Sequence, residues 1–119
     1  MKKQPFTPHI LHPKDLESWL SQSPTDLLLI DVREPCELEI AAFPAKVLHL
    51  PLSQYDHWVD DLNSKNLEEK KVVVICHSGV RSLNFALWLI DKCFATNVWN
   101  LDGGIDAWSQ IVDPSIPRY

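Results

Sequence analysis

Lys71-Val72-Val73-Val74-Ile75-Cys76-His77-Ser78-Gly79-Val80-Arg81-Ser82 is the stretch that decides how this 119-residue chain is read. Three valines and an isoleucine in succession, with no apolar–polar alternation, are the pattern of a strand buried on both faces. The run stops at Cys76, a tight loop follows, and helical spacing begins at residue 81. At such a junction successive backbone N–H groups can turn inward around one point, forming a nest for an anion. A cysteine at the rim would have its thiolate stabilised by those donors and by the helix dipole, which makes it a nucleophile. Gly79 allows a tight loop, and Arg81 stands where a cation opposes the positive helix end, a placement that makes sense if it grips an anion. A cysteine after a strand is often only a small buried hydrophobe. The glycine, arginine and serines around this one argue for chemistry.

Working outward, short apolar runs alternate with helical patterns, which is how a parallel sheet with crossover helices reads. A first helix starts at Pro13 and carries Leu16, Trp19 and Leu20 to the break at 21–25; strands are predicted over 27–30, 47–50, 71–75 and 98–101. Short helices are predicted over 37–41, 57–62 and 105–110, the last after the Gly103-Gly104 turn. The longest helix, 81–92, places Leu83, Ala86, Leu87 and Ile90 on one stripe, widened by Phe85, Trp88 and Leu89, so it should be largely buried. The fold class is α/β, a central parallel sheet with helices on both faces. Asp31 and Cys76 then fall at carboxyl ends of strands, where open α/β sheets bind ligands. One domain is expected over 1–119, with its core at about 9–110 and Pro-containing tails at both ends. The C-terminal tail either meets a partner or folds back, and Trp58 and Trp99 read as buried aromatics rather than interface markers.

Hydrophobic residues make up 45% and charged residues 23%, the balance of a globular chain, and the formal net charge is -5. An acidic chain lacks the basic face that nucleic acid requires. The lysines Lys2 and Lys3 are followed by Pro5, Pro8 and Pro13 rather than an apolar core, so no secretory signal is read, and no run is long enough for a membrane span. Cys36, Cys76 and Cys93 form an odd set without CxxC spacing, which suits a reducing cytoplasm. The histidines at 9, 12, 49, 57 and 77 have no ligand spacing, so neither metal nor other cofactor is expected.

Three motifs together resemble the rhodanese-like sulfurtransferases over roughly residues 9–110. They are Leu29-Ile30-Asp31-Val32-Arg33-Glu34-Pro35 with Glu37-Leu38, the Cys76–Ser82 loop, and Asn100-Leu101-Asp102-Gly103-Gly104-Ile105 with Ala107-Trp108. The resemblance implies a rhodanese-like fold and a persulfide mechanism. Cys76 would take a sulfane sulfur from a small anionic donor such as thiosulfate and pass it to cyanide, a thiol or a protein acceptor. Arg81 and the loop at His77, Ser78, Gly79, Val80 and Ser82 would hold the anionic donor and persulfide. Asp31 and Arg33 would act as an ion-paired brace that supports the loop. The segment Ala42-Phe43-Pro44-Ala45-Lys46-Val47 departs from the family pattern, because a glycine is missing there.

Three other readings compete. A cysteine phosphatase would use Cys-x5-Arg, whereas four residues separate Cys76 from Arg81, a smaller ring suited to sulfur. A non-catalytic rhodanese-like binding module or a sulfur carrier uses the same fold, although such modules often lack the cysteine. A redox pair of Cys76 with Cys36 or Cys93 is the third; Cys93, near the end of a buried helix, is expected in the core.

Overall fold

The computed structural model describes residues 7–119. Lys2, Lys3 and Pro5, on which the reading of the extreme N-terminus rests, lie outside the described residues. Five strands, β1 (His9–Leu11), β2 (Leu27–Asp31), β3 (Leu48–His49), β4 (Lys71–Ile75) and β5 (Val98–Leu101), form one sheet in the order β1-β5-β4-β2-β3, with every pairing parallel. Successive strand side chains point to opposite faces, and the two cores follow that alternation. Ile30, Val72, Val74 and Val98 enter one cluster with Trp58, Phe85, Ala86 and Leu89. Leu29, Val73, Ile75 and Leu101 enter the other with Leu11, Leu16, Ile105 and Trp108.

The first face is covered by α3 (Tyr55–Trp58) and α4 (Val80–Asp91), the second by α1 (Pro13–Gln22) and α5 (Gly104–Ile111). The remaining helix, α2 (Pro35–Ile40), starts on Pro35, whose missing N–H costs nothing in a first turn. The chain leaves β2 toward β3 on one side and leaves β4 toward β5 on the other. The crevice between β2 and β4 is therefore the switch point of the sheet, and Asp31 and Cys76 stand at its carboxyl rim.

Three sequence expectations need correction. The segment 57–62 is one α-turn ending at Trp58 followed by 3-10 helix over Val59–Lys65, because Asp60, Asp61, Asn63 and Ser64 favour local bonds over a regular helix. The start of the expected core at residue 9 holds, and there the chain forms an edge strand, His9 and Leu11 registered on Trp99 and Leu101. In α4 the buried stripe is Ser82, Phe85, Ala86 and Leu89, while Leu83 and Leu87 are 40% and 42% exposed. A helix apolar on nearly every side gives periodicity no means of choosing its face. Cys93 is exposed, not core: it lies past the end of α4 at φ 63°. There the Phe94 N–H reaches the Leu89 carbonyl at 2.9 Å and the Cys93 N–H the Ile90 carbonyl at 3.1 Å, a Schellman stop with cysteine in the position that usually takes glycine.

Candidate active site

Cys76 directly follows β4 and is buried. Its Sγ accepts the Gly79 N–H at 3.1 Å and lies 3.2 Å from Ser82 Oγ. Ser82 donates to Asn100 Oδ1 at 2.5 Å, and Asn100 Nδ2 donates to the Gly79 carbonyl at 3.0 Å, closing a ring of four residues around the sulfur. Ser82 has one hydroxyl proton. With that proton committed to Asn100, the Cys76 thiol is the donor in the Sγ–Oγ contact, and a thiolate would draw the Ser82 proton toward itself. The N–H groups of His77, Ser78, Val80, Arg81 and Ser82 have no acceptor among the described residues. They and Gly79 make up the first turn of α4 and the loop before it, a run of donors that begins next to the buried sulfur and has the Gly79 N–H on it. Ser78 and Val80 are themselves exposed at the mouth.

The opposite side of the loop is held by α5. Ile105 N–H donates to the Cys76 carbonyl at 2.9 Å and Asp106 N–H to that of His77 at 3.0 Å. The first donors of α5 thus find acceptors in the loop carbonyls. Gly104, at φ +62°, makes this approach possible: a Cβ there would lie 2.5 Å from both carbonyl oxygens. The Gly103-Gly104 pair is what lets the loop and α5 interlock.

Arg81 does not point free into the mouth. Its Nη1 and Nη2 hold Glu37 Oε2 and Oε1 at 2.8 and 2.9 Å. The paired guanidinium pulls the Glu37 carboxyl down to about 2, and Glu37 in turn raises the Arg81 pKa. Glu37 also accepts the Glu34 N–H at 2.9 Å, so one carboxylate caps α2 and anchors Arg81. Behind them Arg33 is fully buried, with Nε and Nη2 on Asp31 at 3.0 and 2.8 Å and Nη1 on the Ala41 carbonyl at 2.9 Å. Tyr119 returns over this site: its ring stacks on His77 with centroids 4.1 Å apart, and its hydroxyl accepts from Arg33 and donates to Glu37, each at 3.0 Å. The C-terminal segment therefore folds back.

Sequence reasoning missed Asn100 as a site residue, although a lone amide in the apolar strand 98–101 was a readable signal. It also missed the pairing role of Glu37, and of its two alternatives for the C-terminal tail the structure shows the fold-back, with contacts from Tyr119 that no local pattern announces. The glycine-free segment 42–47 forms its turn without any positive φ and places Phe43 against Trp108, centroids 4.9 Å apart. Cys36 and Cys93 are both exposed and, like Cys76, unpaired.

A strand, a donor-lined cysteine loop and a glycine-locked helix in this order have known relatives. The rhodanese-like domain matches residues 12–111. The chain belongs to the rhodanese-like domain family. A chloroplastic rhodanese-like/PpiC domain-containing protein 12 of Arabidopsis thaliana is 50% identical over 92 residues, 76% of this chain and 30% of the relative. The chain thus spans about a third of that protein's length. A sulfurtransferase of Allochromatium vinosum is 34% identical over 85 residues, covering 71% of this chain and 74% of the other. Among solved structures, the single-domain sulfurtransferase RDL2 of Saccharomyces cerevisiae superimposes with a TM-score of 0.72 over 98% of each chain at 18% identity, a likeness of fold. The α/β architecture is that of the rhodanese-like fold. Among the described residues, no helix is long and apolar enough to cross a membrane.

Proposed function

We propose that this rhodanese-like domain is a sulfurtransferase that carries sulfane sulfur as a persulfide on Cys76. The observation that carries the reading is the array of N–H groups from His77 to Ser82, one of them already on Sγ at 3.1 Å, the rest without acceptors among the described residues. Such an array stabilises a terminal sulfur anion without any general base. In the first half-reaction the Cys76 thiolate attacks the outer sulfur of thiosulfate, forming Cys–S–S⁻ and releasing sulfite with the electron pair of the broken S–S bond. In the second, a thiolate or cyanide takes the outer sulfur and returns the Cys76 thiolate, a ping-pong cycle. Arg81, with the N–H groups not used on Glu37, and the loop amides orient the donor. Asp31 and Arg33 position the loop through the β2 end. A protein thiol is an equally fitting acceptor, because Val80 and Ser78 leave the mouth open to a large partner. The free, exposed Cys36 and Cys93 suit a reducing compartment, the cytoplasm in this reading.

Intact mass after thiosulfate treatment is expected to rise by one sulfur atom, located on Cys76 by peptide mapping. Cys76→Ser is expected to lose both the adduct and thiocyanate formation. A Cys76→Ser variant that kept sulfurtransferase activity would sink the reading.

A further inference from the structure

Arg81, which closes the cysteine loop, also lines a groove that thiosulfate would leave empty. Its volume is about 280 Å³, and it is walled by Leu52, Tyr55, Trp58, Phe85 and Trp88, with Arg81 and Asn84 as its polar lining. Arg81, Phe85 and Trp88 recur at helical spacing on α4, so one face of that helix leads from the catalytic loop along the groove. The rings brace one another edge to face: Tyr55 and Trp58 are 5.3 Å apart, Tyr55 and Trp88 5.8 Å, Trp58 and Phe85 5.8 Å. Tyr55 is nonetheless 44% exposed, and Trp88 is only partly buried. Pockets that hold drug-sized ligands begin at roughly 300 Å³, so this one suits a single ring rather than a peptide.

The charge in the groove lining supplies a second constraint. Glu37 takes both terminal nitrogens of Arg81, so the cation that closes the cysteine loop is already half of a neutral pair. A dianion arriving there meets a carboxylate beside its guanidinium. A monoanion can use the remaining Arg81 and loop donors at a smaller repulsive cost.

We infer that the groove is a subsite for the organic part of the sulfur donor, a monoanionic sulfane sulfur compound bearing a ring-sized apolar group. The inference rests on Cys76 being the persulfide carrier. For a thiosulfonate R–SO2–S⁻, the Cys76 thiolate attacks the terminal sulfur and the S–S bond breaks. The sulfinate R–SO2⁻ leaves with the electron pair, and Cys76 keeps the persulfide anion. The R group lies along Tyr55, Trp58 and Trp88 while the sulfonyl oxygens face Arg81.

The test compares benzenethiosulfonate, methanethiosulfonate and thiosulfate as donors, with cyanide as acceptor. The wild type is expected to favour the benzene donor over the methane donor by about ten-fold in kcat/KM, the return expected for sheltering one ring. Tyr55→Ala and Trp88→Ala are expected to pull that ratio toward one. Comparing the ratio between variants removes the intrinsic reactivity of the two donors. Tyr55 is exposed, so its variant keeps the test usable if Trp88→Ala fails to fold. Glu37→Gln is expected to lower KM for thiosulfate more than for methanethiosulfonate. Benzenesulfinate should inhibit the wild type more strongly than it inhibits Tyr55→Ala. A donor ratio identical in the wild type and both groove variants, with thiosulfate still loading Cys76, overturns the subsite and leaves sulfur transfer standing. Failure of all three donors to load Cys76 overturns both.

Discussion

Two arginine–carboxylate pairs stand within one site and differ chiefly in their access to water. Asp31 and Arg33 have no exposed side-chain surface, whereas Arg81 is 38% and Glu37 14% exposed. In the buried pair, both carboxylate oxygens and all three guanidinium nitrogens are engaged, including bonds to the Ala41 carbonyl and Tyr119. With no exposed surface the pair cannot reach a ligand, and a lone charge there would be costly. The outer pair leaves N–H groups of Arg81 toward solvent and is screened. Burial therefore separates the pairs: the inner arginine is spent on bracing the β2 end, and the outer one is free to play the substrate-orienting part proposed for it.

The largest effect should come from breaking the inner pair. Arg33→Ala leaves the Asp31 carboxylate buried with only the residue-33 backbone N–H, and is expected to cost about 3–5 kcal/mol by chemical denaturation. Arg81→Ala is expected to cost below about 1 kcal/mol in the same assay, since Glu37 keeps solvent, the Glu34 N–H and Tyr119. Its effect should fall on sulfur transfer instead, with a loss on the order of 100-fold in kcat/KM for anionic donors. Equal stability losses in the two variants would break the distinction between brace and ligand-facing arginine.

The pH dependence sharpens it further. Glu37 is held at about 2, below its ordinary 4.5, mainly by the hydrogen bonds from Arg81. A depressed carboxyl stabilises the fold above its unfolded pKa, and that contribution fades as pH falls from about 4.5 toward 2. After discounting for the exposure of Arg81, the contribution is on the order of 1 kcal/mol. Glu37→Gln should therefore be less stable than wild type at pH 7, with the two converging at pH 2 in acid unfolding followed by circular dichroism. A gap unchanged across that window would remove the ion pair from the account.

How far the sequence reached follows the same division between local and distant determinants. The cysteine loop was legible because a strand, a glycine and a helix start are each written in adjacent residues. The Asp31–Arg33 pair was legible because its partners are two residues apart. Glu37 meets Arg81 across 44 residues of chain, and Tyr119 meets Arg33 across 86, and no periodicity encodes a contact that only the folded sheet creates. The misassigned face of α4 has a related cause. Ser82 is buried by the sulfur of Cys76 and the amide of Asn100, a polar reason that a hydrophobic stripe cannot show.

Tyr119 is where the two pairs touch, and its hydroxyl gives the finest test of their independence. In Tyr119→Phe the stacking surface against His77 remains, while Arg33 loses one acceptor and Glu37 one donor. Arg33 Nη1 keeps the Ala41 carbonyl at 2.9 Å, so the buried pair stays satisfied and the stability change should be under about 1 kcal/mol. Glu37 keeps Arg81 and the Glu34 N–H, so its carboxyl should rise from about 2 yet remain below 4.5. The acid-dependent loss of stability then begins at the same pH and is complete at a higher one, a shift measurable by NMR titration of the Glu37 carboxyl carbon. A loss as large as that of Arg33→Ala would mean that the brace and the ligand-facing arginine form one network through this hydroxyl. A small loss with the shifted titration means that Tyr119 merely tunes the outer pair from above a brace that stands without it.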